Sequence, residues 1–141
     1  MAKVYWDTNL FVYYFEDLAA LADRVDAIWR GMLQRGDDLY TGTITVGEIL
    51  VRPRSLGQEI LARKYLRYFE GNTVTVVPFD LKAADHYARI RTNPSIQRAD
   101  AMQLACAAAA DADLFITNDA RLSKKRVAGI KFITSLEHAP L

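Results

Sequence analysis

Four carboxylates stand out by type and position. Asp7 directly follows the short apolar run Val4-Tyr5-Trp6 and opens Asp7-Thr8-Asn9. Asp119 follows Leu114-Phe115-Ile116-Thr117, separated from it only by Asn118. Both runs read as strands, and in open α/β sheets ligands bind beyond the carboxyl ends of the strands. Glu48 falls in a helical pattern beside the apolar residues Val46, Ile49 and Leu50. Asp100 falls in the first turn of an apolar helix, in line with Leu104, Ala107 and Ala108 at helical spacing. Buried carboxylates are costly unless paired or bound to a metal, and no lysine or arginine stands out as a partner. Four such acids suggest an oxygen-ligand site for Mg2+ or Mn2+. The reaction that uses such a site is phosphodiester hydrolysis. There the ions polarise the phosphoryl oxygen, generate a hydroxide-like nucleophile at neutral pH and steady the leaving oxygen.

Each acid also has a structural use. Asp7 and Asp119 can cap helices or form turns after their strands. A lone glutamate such as Glu48 is ordinarily a solvated charge on a helix face, and Asp100 suits the positive end of its helix. Taken one at a time, the structural reading stands level with the chemical one for Asp7 and Asp119 and ahead of it for Glu48, and no single acid makes a strong case. The four acids together, in matching contexts, favour chemistry.

The elements that must position them alternate along the chain. Strands are expected at Val4–Trp6, Asp38–Thr41, Thr73–Val77, Leu114–Thr117 and Lys131–Thr134. The helical period is clearest from Leu18 to Leu33, through Leu21, Ala22, Val25, Ile28, Trp29 and Met32. Further helices are expected from Ile44 to Arg52, stopped by Pro53, and around Leu61 to Phe69, ended by Gly71 and Asn72. Two more run from Leu81 to Arg91 and from Arg98 to Ala110, the latter apolar nearly all round and therefore buried. Short strands alternating with helices predict a parallel sheet of about five strands in a three-layer α/β/α sandwich. At 141 residues the chain is expected to be one domain over residues 1–141.

Composition narrows the setting. Apolar residues make up 51% and charged residues 25%, which argues against disorder. The single cysteine, Cys106, excludes an internal disulfide and points to a reducing, cytoplasmic location. The longest apolar stretch, Leu104 to Ala110, is far short of the roughly 20 residues of a membrane helix, and residues 1–7 lack a signal-peptide core. The formal net charge of +1 hides an asymmetry: residues 1–48 hold 4 basic and 8 acidic side chains, residues 49–141 hold 14 and 9. Two basic stretches start just past proposed site acids. One holds Arg52, Arg54, Arg63, Lys64 and Arg67, the other Arg121, Lys124, Lys125, Arg126 and Lys131. Such runs are usually solvated faces, but beside an acidic pocket they suit phosphate contacts, with Arg52, Arg54, Arg121, Lys124 and Lys125 nearest.

The segments Trp6-Asp7-Thr8-Asn9-Leu10-Phe11, Thr45-Val46-Gly47-Glu48-Ile49-Leu50, Arg98-Ala99-Asp100-Ala101-Met102-Gln103-Leu104-Ala105 and Ile116-Thr117-Asn118-Asp119 together resemble the PIN-domain family, of the small prokaryotic type represented by VapC toxins. Each motif is short; their order and the domain length make the resemblance specific, and it covers essentially the whole chain. The resemblance implies a doubly wound α/β/α fold and a Mg2+- or Mn2+-dependent endoribonuclease leaving a 5′-phosphate and a 3′-hydroxyl. Asp7, Glu48, Asp100 and Asp119 then form the acidic quartet. Asp7 and Asp100 would be direct metal ligands, while Glu48 and Asp119 complete the shell directly or through water. Thr8, Asn9, Thr117 and Asn118 would be hydrogen-bonding neighbours. An antitoxin partner and a homodimer are implied as well.

Other conspicuous residues read as structural. Cys106 is a core thiol, His86 and His138 show no pairing pattern, and Asp111, Asp113 and Asp37-Asp38 read as turn residues. Tyr13-Tyr14-Phe15 and Trp29 suit the core or a dimer interface. Two alternatives to the nuclease stay open: a catalytically silent PIN-fold module that binds RNA or protein, and an aspartate phosphotransferase with Asp7 as nucleophile. The second would want an acid where Asn9 stands and a lysine that the sequence does not mark.

Overall fold

Successive residues of a strand face opposite sides of a sheet, and the short apolar runs use both sides. A computed structural model describes residues 1–141. Its strands are β1 (Lys3–Trp6), β2 (Asp38–Gly42), β3 (Val74–Val77), β4 (Leu114–Thr117) and β5 (Phe132–Ser135). All pairings are parallel, in the order β3-β2-β1-β4-β5. Val4, Trp6, Leu39 and Ile116 face one core, and Tyr5 and Phe115 face the other, where their rings stack at 5.1 Å. The first core is closed by α1 (Thr8–Glu16), α2 (Ala19–Arg35), α3 (Thr43–Ser55) and α4 (Glu59–Glu70); the second by α5 (Leu81–Ile90) and α6 (Arg98–Ala109). The architecture is a three-layer α/β/α sandwich. No helix is long and apolar enough to cross a membrane.

Two expectations about helices need correction. The sequence reading has no helix before Leu18, yet Thr8–Glu16 forms α1. Its residues Leu10 to Phe15 are all apolar or aromatic, so no polar face produces a period to detect. The helix instead follows from its cap and its burial. Asp7 is extended and accepts from the Thr8 N–H, while Leu10 and Phe11 are fully buried. Nor does Pro53 stop α3, which continues to Ser55. Pro53 sits in the last turn, where its missing N–H removes a single bond, and its own carbonyl accepts from the Gln58 N–H at 2.8 Å. The other elements lie within two residues of expectation.

Tyr13, Phe15 and Trp29 pack partly buried against the core, while Tyr14 is exposed. Phe11 packs against Trp6 and Phe69, and Phe15 stacks on Tyr65 at 5.0 Å. Trp29 meets Trp6 edge-on. Cys106 is fully buried, and burial pushes its thiol up to about 11.

Candidate active site

The strand order reverses between β1 and β4, which places a crevice at their carboxyl ends. Asp7 directly follows β1 there, and its backbone N–H still bonds the Ile116 carbonyl of β4 at 3.0 Å. Its carboxylate is buried, accepting from the Thr8 N–H at 2.8 Å through one oxygen and from the Thr117 hydroxyl at 2.8 Å through the other. Burial outweighs these two bonds and, with the negative charges of Asp100 and Glu48, raises Asp7 to about 6. Asp100, on the first turn of α6, is also raised, by burial and then by Asp119 and Glu48, with Arg121 opposing. Four acids from β1, α3, α6 and the segment after β4 thus act on one another electrostatically.

They are not equally enclosed. Glu48 is exposed beside its apolar stripe, as a charge on a solvated helix face would be; Asp100 and Asp119 are half-buried and only Asp7 is buried. The helical pattern around Glu48 identifies its helix but not its face, which turns toward the crevice mouth. The structural uses of two acids are also present. Asp7 caps α1, and Asp119 accepts from the N–H groups of Arg121 at 2.9 Å and Leu122 at 3.3 Å, fixing the turn after β4. No three of the acids converge closely enough to enclose a single metal ion. The donor set itself is all hard oxygen and short of positive partners, which suits Mg2+ or Mn2+. Mg2+ commonly takes one or two carboxylates and completes its shell with water.

The residue that organises the crevice is Gln103, which the sequence reading left without a role. It is 2% exposed in the middle of α6. Its amide oxygen accepts from the Tyr5 hydroxyl at 2.6 Å, and its nitrogen reaches Thr8 Oγ1 at 2.7 Å, Thr45 Oγ1 at 2.9 Å and Glu48 Oε1 at 3.1 Å. Glu48, a carboxylate, only accepts, so the amide nitrogen must face it. The Thr8 hydroxyl completes the hold on Glu48 at 2.7 Å. Burial keeps the Tyr5 hydroxyl protonated and donating. Gly42 makes room for it: a Cβ there would stand 2.5 Å from the hydroxyl and 3.2 Å from Cys106 Sγ. Thr41 ties the network to β1, bonding the Trp6 carbonyl at 2.9 Å. The available signal for Gln103 was its spacing, three residues after Asp100 and therefore on the same helix face.

The remaining candidates divide. Thr8 and Thr117 belong to the network; Asn9 is exposed and outside it, and Asn118 turns to the Tyr13 hydroxyl at 2.7 Å. Arg121, Lys124 and Lys125 line a depression of about 300 Å³ together with Asp100 and Asp119. Arg52 lines a separate groove of about 370 Å³ beside Glu48. Arg54 is instead paired with Glu59.

Solved structures share this arrangement of elements. A chain of VapBC2 from Rickettsia felis, solved with a promoter DNA fragment, superposes with a TM-score of 0.74 at 17% identity, covering 94% of this chain and 98% of that one. DNA-bound VapBC from Salmonella typhimurium gives 0.67 at 20% identity, with 96% and 99% covered. FitAcB from Neisseria gonorrhoeae gives 0.63 at 22%, with 96% and 99% covered. At these identities the likeness is one of fold. No curated protein sequence matches the chain. The family model described as PIN domain matches residues 4–128, so the chain belongs to the PIN domain family.

Proposed function

We propose that this protein is an endoribonuclease that hydrolyses RNA phosphodiester bonds with Mg2+ or Mn2+, acting as the toxin of a VapBC-type toxin–antitoxin pair. The observation that carries the reading is that Asp7, Glu48, Asp100 and Asp119, contributed by separate parts of the chain around the point where the strand order reverses, lie near enough for their charges to raise Asp7 and Asp100. PIN family membership and neighbours solved as VapBC complexes support it.

A bound divalent ion supplies Lewis acidity at the phosphoryl oxygen and lowers the pKa of an attacking water. In this reading Asp7 and Asp100 hold it. Asp7 is aimed by Thr8 and Thr117, while Thr8 and Gln103 keep Glu48 turned into the crevice to orient water. Asp119 is fixed by its own turn opposite Asp100. Arg121, Lys124 and Lys125 offer the substrate phosphates positive charge at the rim. The partners are RNA and an antitoxin protein, and the working form is a cytoplasmic homodimer.

One observation favours a second reading, a PIN-fold module that binds without cleaving: the acids do not close around one point. Phosphotransfer through Asp7 is disfavoured, since both its oxygens accept hydrogen bonds and no lysine acts on its charge. The deciding experiment incubates purified protein with an RNA oligonucleotide under Mg2+, Mn2+ or chelator. Cleavage that needs the ion and disappears in Asp100→Asn is the expected result. RNA binding with no turnover under either ion would establish the module instead.

A further inference from the structure

Beyond the crevice, a second cavity of about 540 Å³ opens along β5, one of the two edge strands of the sheet. It shares Lys124 and Lys125 with the depression that holds Asp100 and Asp119. Arg126 and Lys131 add two more cations, and no acidic side chain lines it. Lys131 is tethered to Asp113 at 2.9 Å and Lys125 to the Ser95 hydroxyl at 2.9 Å, so both ammonium groups are held in place. At the far end lies Phe132, 71% exposed, an aromatic that the core does not use. The register of β4 with β5 sets Ser135 beside Thr117, level with the crevice, and Phe132 beside Leu114. Three residues of strand separate those levels, about 10 Å. A cationic track with an aromatic face at its end is the equipment that holds single-stranded nucleic acid: phosphates on the cations, a base stacked on the ring.

Resting on the nuclease reading above, we propose that this edge cavity is a substrate subsite. It binds a nucleotide of single-stranded RNA a few positions from the scissile phosphate, with its base on Phe132 and the intervening phosphates on Lys124, Lys125 and Arg126. The subsite favours longer single strands over short ones. It is indifferent to base identity in the first instance, because stacking needs only a π face.

Fluorescence anisotropy tests this with fluorescein-labelled oligouridylates of three and nine nucleotides and the full chain carrying Asp100→Asn to prevent turnover. The nonamer is expected to bind more tightly than the trimer. Phe132→Ala should remove about tenfold of that gain, and Phe132→Trp should restore it. Arg126→Gln should lower the salt dependence of nonamer binding by about one unit of slope. An unchanged nonamer-to-trimer ratio in Phe132→Ala overturns the subsite and leaves the patch to a protein partner. Absence of any RNA binding overturns it too. If the Phe132-dependent gain is present but the parent protein cleaves nothing with Mg2+ or Mn2+, the subsite stands and the nuclease reading falls. If cleavage occurs without the gain, the reverse holds.

Discussion

The two ends of the sheet both carry aspartates, and they treat them oppositely. At the amino end, Asp113 accepts the Lys3 N–H at 2.8 Å and pairs with Lys131, and these partners hold its carboxyl below the usual range. Asp37 there accepts the Ala2 N–H at 3.0 Å and pairs with Arg35 at 2.9 Å. Each of these acids staples β1 to a neighbouring segment. At the carboxyl end, burial and then Asp100 and Glu48 push Asp7 up, and burial and then Asp119 and Glu48 push Asp100 up. The same side chain is thus a stabiliser where cations and N–H groups meet it near the surface and a liability where it is buried beside further carboxylates. Acids perturbed in this way cluster at functional sites.

That contrast can be broken by mutation. The largest effect falls on activity: Asp7→Asn should lower Mg2+-dependent RNA cleavage at least about a thousandfold, whereas Asp37→Asn should change it less than about twofold, since Asp37 meets only the Ala2 N–H and Arg35, away from both the crevice and the edge cavity. Steady-state cleavage of a labelled oligonucleotide reads both. Comparable losses in the two variants would erase the distinction.

Acidity sharpens it next. Asp7 has a folded pKa near 6, raised above its unfolded value, so in metal-free protein its contribution is fully present below about pH 4 and is lost as pH rises through about 6. Asp113 is shifted the other way, so its contribution is present above about pH 4 and fades as pH falls through its lowered folded value. Chelator-treated Asp7→Asn should therefore exceed the parent in stability by up to about 3 kcal/mol at pH 7.5, and the difference should vanish near pH 4. Denaturant melts at the two pH values measure this, and a constant difference would refute the assignment.

Gln103→Leu comes third. It strands the Tyr5 hydroxyl and frees Glu48, which should cost about 2 kcal/mol of stability and about tenfold to a hundredfold in cleavage, the usual size for a residue that orients a ligand. Wild-type cleavage in a folded Gln103→Leu variant would mean that Glu48 needs no positioning. The smallest effect is the stability of Asp113→Asn, about 1 kcal/mol lower than the parent by thermal melting.

Much of this was legible in the sequence because it depends on local pattern. The runs Val4-Tyr5-Trp6 and Leu114-Phe115-Ile116-Thr117 announce strands, and the acids that follow them fall at the crevice by topology alone. The apolar helix carrying Asp100 is equally plain. What escaped depends on partners distant in sequence. Gln103 is polar in an apolar helix, but its meaning lies in Tyr5, Thr8 and Glu48, between 55 and 98 residues away. α1 escaped because Leu10 to Phe15 are all apolar or aromatic, so no polar residue marks a period. The exposure of Glu48 and the pairing of Arg54 with Glu59 are matters of helix facing, which spacing alone leaves undetermined.

The central claim to test is the proposal that the acids at the carboxyl end are a cation site, where burial first and neighbouring carboxylates second raise Asp7 and Asp100. Melting temperature against Mn2+ concentration at pH 7.5, starting from chelated protein, tests it most directly in the parent and in Asp7→Asn. The account predicts that the parent starts lower and climbs as Mn2+ is added, while Asp7→Asn starts higher and stays level. A flat parent curve, or a variant that starts below the parent and climbs with it, would contradict it.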